Sequence, residues 1–239
     1  MFNQFYFLHI PKTAGRFYKV NVIDPIENIL LKNNIKVSDK DPNLNHNVWK
    51  KEYTTDTSYI SSIIRDPASL MVSYYCHMFS LNEKGIILPD FDIKNINKKI
   101  FFNWIKMHIK QLSNFQAKNF LIEEIDSPNF TKSKNFADLN IDKDMLYQKL
   151  NRINFLIRSD ILEENNIIKI QNKILNDLSI NIKIMNFEIK SSSKLKNDIS
   201  KNFYDTLNKK EIDFLYELSP IDSEIYFNYN RFWEPHDNI

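Results

Sequence analysis

The chain has 239 residues, of which 43% are hydrophobic and 13% aromatic, enough for a buried core and too apolar for a disordered chain. Lys and Arg number 32 against 30 Asp and Glu, a net charge of +2, which excludes the broad basic surface of a general nucleic-acid binder. Cys76 is the one cysteine, so no intramolecular disulfide can form, and no apolar run approaches the roughly 18 residues of a membrane-spanning helix.

Residues 4–9, rich in aromatics, read as a buried strand. Residues 16–33 read as helical, interrupted near Asp24-Pro25, where Asp suits a cap and Pro a first helical position. A short strand is expected at 35–38 and a polar loop at 39–47. Residues 59–64 are apolar and β-branched, a second buried strand that runs into Arg65-Asp66-Pro67. There Asp66 is the expected N-cap and Pro67 the first residue of a helix to about Leu81.

Loops are expected at 82–94, 126–140 and 190–196, and helices at 96–125, 142–151 and 160–178. Residues 154–157 and the alternating 180–187 read as further strands, and a helical stretch with an aromatic finish runs to about Phe232. Strands alternating with helices predict an α/β fold: a P-loop-like parallel sheet flanked by helices, with a helix-rich C-terminal half. No internal repeat or long linker divides the chain, so residues 1–239 are expected to form one domain. The N-terminus lacks a basic region followed by an apolar run and a small-residue cleavage site. No signal peptide is therefore expected, and a cytoplasmic location is.

Glycine is scarce: the chain has 2, Gly15 and Gly85, where average usage is about 7%. Gly15 ends the stretch His9-Ile10-Pro11-Lys12-Thr13-Ala14-Gly15, where the first strand turns into a helix. Backbone N–H groups at such a turn, the positive end of a helix and Lys12 together suit an anion. Arg65, at the tip of the second buried strand, has the fork geometry for a phosphate, and Ser73 lies two helical turns further on. In α/β sheets ligands lie beyond the carboxyl ends of the strands, so the two turns face one ligand if their strands are neighbours. His9 is expected to pack under the first turn, and Trp49 and Trp104 to be buried.

These two segments resemble those of the 3′-phosphoadenosine 5′-phosphosulfate (PAPS)-dependent sulfotransferases, in the carbohydrate branch that includes heparan sulfate 2-O-sulfotransferase. The stretch from His9 to Gly15 resembles the family's 5′-phosphosulfate loop. Ile64-Arg65-Asp66-Pro67 with Ser73 and Tyr74 resembles its 3′-phosphate motif, with the Arg-to-Ser spacing intact. Weaker similarity runs through Asn114-Phe115-Gln116-Ala117-Lys118, residues 154–163, Asp222 and Tyr226, and so spans most of the chain.

The resemblance implies transfer of a sulfuryl group to a hydroxyl, on a carbohydrate or other small acceptor, with release of 3′-phosphoadenosine 5′-phosphate (PAP) and no metal. It implies donor binding by Pro11, Lys12, Thr13, Ala14, Gly15, Arg16, Phe17, Arg65 and Ser73. Lys12 would stabilise the leaving group, Thr13 would contact it through backbone or hydroxyl, and His46 would be the general base. No nucleic-acid or membrane partner is expected, and the sequence leaves the oligomeric state open.

One departure stands out. The family usually carries Thr or Ser at one or both positions after the glycine, and here they are Arg16 and Phe17. That motivates a rival reading, a catalytically degenerate homologue that binds a nucleotide or an anionic glycan. A P-loop nucleotide kinase or NTPase is the other rival. It is disfavoured because Lys12 precedes Gly15, the reverse of Gly-x-x-x-x-Gly-Lys-Ser/Thr.

Overall fold

The computed structural model describes residues 2–38, 49, 54–83, 96–122, 134–186, 188–189 and 197–235. Its centre is a parallel sheet of four strands, β1 (Gln4–Leu8), β2 (Lys36–Val37), β3 (Ser58–Ile64) and β4 (Phe155–Arg158), in the order β2-β1-β3-β4. The chain leaves β1 for β2 on one side and returns to β3 on the other. The strand order therefore reverses between β1 and β3, the position where open α/β sheets bind ligands. β1 and β3 pair from Gln4↔Ser58 to Leu8↔Ser62, so β3 runs two residues past the end of β1, and Ile64 pairs with Arg158 of β4.

Period-two alternation places each strand's side chains on both faces, and both faces are covered, as parallel sheets require. Phe5, Phe7, Tyr59, Ile63, Phe155 and Ile157 pack on one face. They meet a continuous helical stretch, α1 (Gly15–Tyr18), a π-helical turn (Lys19–Ile23) and α2 (Asp24–Lys32), together with α9 (Glu164–Asp177). Tyr6, Leu8, Ile60, Ile64 and Leu156 pack on the other. There they meet α6 (Phe115–Leu121), α8 (Lys143–Asn151), α12 (Pro220–Asn228) and the buried Trp49. Each such side chain removed from water contributes about 1.5–3 kcal/mol. The buried serines of β3 are hydrogen-bonded: Ser61 Oγ lies 2.7 Å from the Tyr18 hydroxyl, and Ser62 Oγ donates to Leu8 O at 2.8 Å.

A third core lies away from the sheet. It joins α3 (Pro67–Glu83), α4 (Lys98–Met107), α10 (Asn197–Tyr204) and α11 (Lys209–Leu218) around Met71, Tyr75, Phe101, Trp104, Phe203 and Leu215. Helix α3 touches both this core and the sheet face through Leu70, which explains its apolar character all round. Among the described residues no helix is long and apolar enough to cross a membrane.

Local differences from the sequence reading have physical causes. The helix expected over 96–125 is three pieces, α4, α5 (Ile109–Leu112) and α6, broken at His108 and at Asn114, whose φ is 51°. The loop expected over 126–140 holds a short helix, α7 (Lys134–Ala137). The interruption near Asp24 is a change of helical register with no break, since Ile23 keeps helical dihedrals. The strand expected at 180–187 is absent among the described residues. Asn172 of α9 accepts from Ile184 N at 2.7 Å and donates to Ile184 O at 3.0 Å, taking the hydrogen bonds a neighbouring strand would have made.

Candidate functional site

At the C-terminal end of β1 the chain makes a tight turn with two residues in left-handed conformation, Lys12 and Ala14, both with φ 67°. Gly15 is helical, the first residue of α1. The glycine's reason is therefore space and not φ: a Cβ there would lie 2.0 Å from Cδ2 and Nε2 of His9. The His9 ring stacks on Phe7 at 5.4 Å and presses on Gly15, so it packs under the turn as its position suggested.

Left-handed residues flanking Thr13 turn successive N–H groups to one side, the arrangement of anion-binding nests. Among the described residues, the backbone N–H groups of Thr13, Ala14, Gly15, Arg16 and Phe17 have no acceptor, and Tyr18 N is the first to bond back, to Ala14 O at 3.1 Å. The Thr13 hydroxyl donates its one hydrogen to Ile10 O at 2.8 Å, so it closes the turn, and Thr13 offers a ligand its backbone N–H. Pro11 is buried, Arg16 is exposed, and Phe17 packs against the core with Tyr18.

The second turn follows β3. Asp66 caps α3, its Oδ1 accepting from Ser69 N at 2.6 Å, and Pro67 is the first helical residue. Arg65 reaches across to the first turn: Nη1 donates to Lys12 O at 3.2 Å and Nε to Ser69 Oγ at 2.9 Å. A guanidinium has five N–H hydrogens. The remaining three have no hydrogen-bond partner among the described residues. Burial lowers the Arg65 pKa, and the Asp66 carboxylate works against that. Ser73, expected to share a phosphate with Arg65, is buried one turn beyond Ser69 on the same helix face. The serine that touches the guanidinium is Ser69.

Lys12 belongs to the same neighbourhood. Burial pushes the Cys76 thiol up to about 11, and the charges of Lys12 and Arg65 both pull it down. Ser69, Ser73 and Cys76 recur at the helical spacing and so share one face of α3. His46 lies outside the described residues.

Several supporting residues carry no role in the sequence reading. Gln116 of α6 bonds both backbone groups of Arg65, and Asp222 of α12 accepts from Gln116 N and Ala117 N at 2.9 and 2.8 Å. Burial pushes the Asp222 carboxyl up to about 6, although those N–H groups and Lys118 hold it down. Asp66 Oδ2 accepts from the Tyr216 hydroxyl at 2.6 Å, and burial raises the Asp66 pKa against that bond. Arg158, at the end of β4, bonds Glu234 at 2.5 Å between the Tyr226 and Phe232 rings, each 5.7 Å from its guanidinium carbon. The only sequence signal for Gln116 and Asp222 was the weaker resemblance around them.

Among the described residues no group of three or more His, Cys, Asp or Glu is placed to hold a metal ion. No protein-family model, no curated protein and no solved structure matches the chain.

Proposed function

We propose that the chain is a PAPS-dependent sulfotransferase acting on a hydroxyl of a carbohydrate or similar small acceptor. One observation carries the reading. Two donor-rich turns, bridged by Arg65 Nη1 and Lys12 O at 3.2 Å, stand at the strand-order reversal with N–H groups that lack acceptors among the described residues. One turn suits the 5′-phosphosulfate and the other the 3′-phosphate, the group that distinguishes this donor from AMP or ATP.

The chemistry follows from those positions. The acceptor oxygen attacks sulfur in line, and the bond from sulfur to the bridging oxygen of the 5′-phosphate breaks. Charge develops on the departing PAP, where Lys12 and the N–H groups of residues 13–17 stabilise it. The acceptor's proton passes to a general base, the role assigned to His46.

The test is calorimetric binding of PAP against AMP, with Arg65→Ala alongside. Each hydrogen bond lost to a charged group costs about 1.5–3 kcal/mol. The expected result is a preference for PAP that collapses in the variant. Equal or absent binding of PAP and AMP overturns the proposal and turns attention to ATP with magnesium.

A second reading, donor binding without transfer, is favoured by the two residues after Gly15. Arg16 is exposed and Phe17 faces the core, so no hydroxyl stands where the family places one. PAP binding without release of PAP from PAPS, across a panel of glycans, distinguishes it.

A further inference from the structure

Arg65 is held by its main chain as well as by its guanidinium. Arg65 N donates to Gln116 Oε1 at 2.8 Å, and Gln116 Nε2 donates to Arg65 O at 2.8 Å. One side-chain amide thus satisfies both backbone groups of the residue just past β3, the pairing that an adjacent strand would otherwise provide. Gln116 is fully buried. It is itself anchored, since its own N–H ends on the Asp222 carboxylate. Asn114, left-handed before α6, accepts from Ile221 N at 2.8 Å and Asp222 N at 3.3 Å, which joins the start of α6 to the start of α12.

We propose that Gln116, anchored by Asp222, is a positioning residue for Arg65. It fixes the strand-end backbone so that the three N–H hydrogens of the guanidinium without a partner among the described residues stay aimed at the donor's 3′-phosphate. The inference rests on the donor reading above and adds a specificity determinant that never touches the ligand. An arginine side chain is long, so a small rotation of the Arg65 backbone becomes a large displacement at its tip. Recognition geometry is lost at about 0.5 Å and 10–20°. Ser69 Oγ and Lys12 O fix the tip, but both also depend on where the Arg65 backbone starts.

The experiment measures PAP and AMP affinities for wild type, Gln116→Ala and Gln116→Glu, with thermal unfolding of each. The readout is the ratio of the two dissociation constants, which isolates the 3′-phosphate. A residue that merely ties α6 to the sheet would weaken both ligands together and leave the ratio alone. Gln116→Ala is expected to cut the ratio by about tenfold, the weight of one charged hydrogen bond, while AMP binding persists. Gln116→Glu keeps the side-chain shape and the acceptor for Arg65 N but loses the donor to Arg65 O, so it also lowers the ratio. It serves as the measurement if the alanine variant does not fold. An unchanged ratio in a folded variant overturns the positioning role while the donor reading stands. A wild type that does not prefer PAP overturns the donor reading itself.

Discussion

Replacing Gly15 with alanine tests whether this glycine serves a close approach. The added Cβ would sit 2.0 Å from two atoms of the His9 ring and 2.8 Å from a third. Carbon atoms settle at about 3.5–4.0 Å, so the ring must retreat by about 1.5 Å. Its retreat is blocked by Phe7, stacked on it at 5.4 Å and itself 4.9 Å from Tyr18 in the core. Overpacking of this kind costs about 1–3 kcal/mol. Because Gly15 is already helical, alanine adds no backbone strain and regains roughly 0.5–1 kcal/mol of helix propensity. The net expectation is a loss of about 2 kcal/mol, the clash being severe. Urea unfolding measures it as a shift in midpoint at constant slope. In a His9→Ala background the clash is gone, and Gly15→Ala should become neutral or stabilising, by about 0.5 kcal/mol. Equal losses in both backgrounds would refute the packing argument.

Two further outcomes follow from the buried Asp222 and the partly buried Asp66. The folded protein holds a proton on Asp222 up to about pH 6, whereas the unfolded chain releases it near 3.8, so the folded state binds more protons between those values. The stability of wild type relative to Asp222→Asn should therefore fall by up to about 3 kcal/mol as pH rises through that window. Urea midpoints of the two proteins across the range check it, and a rise would contradict the burial argument. Tyr216→Phe removes the 2.6 Å donor to Asp66. A loss of about 1.5 kcal/mol is expected, the low end for a charged hydrogen bond because Tyr204 also reaches this carboxylate, and an unchanged unfolding midpoint would show the bond contributes nothing.

Features set by near neighbours in sequence were legible. The apolar runs of β1, β3 and β4 mark strands because parallel strands bury both faces. Asp66-Pro67 marks a helix start because one side-chain bond and one fixed φ decide it. What sequence could not show are effects arising between distant segments. Nothing local says that Asn172 will take the backbone bonds of Ile184 and deny 180–187 a strand. Nothing local says that Arg65 will choose Ser69 over Ser73, since both lie on one helix face. The Gln116 clamp spans 51 residues and its anchor on Asp222 a further 106, beyond the reach of any periodicity. Gly15 stands out in the sequence because glycine is scarce, but its role depends on a ring six residues earlier in the chain.

The outer edge of β4 is closed late. Leu156 bridges to Phe232, and Trp233 N donates to Leu156 O at 3.0 Å, so the segment beside Trp233 covers hydrogen-bonding groups that β4 would otherwise present. A ribosome adds about 5–20 residues per second, so the roughly 70 residues between β4 and its cover take about 4–15 s to emerge. Throughout that interval a nascent chain holds an open parallel edge of Phe, Leu and Ile. Vectorial synthesis, more than the finished fold, is where this protein is exposed to mispairing, and a chaperone that shields residues 155–158 would act in that window.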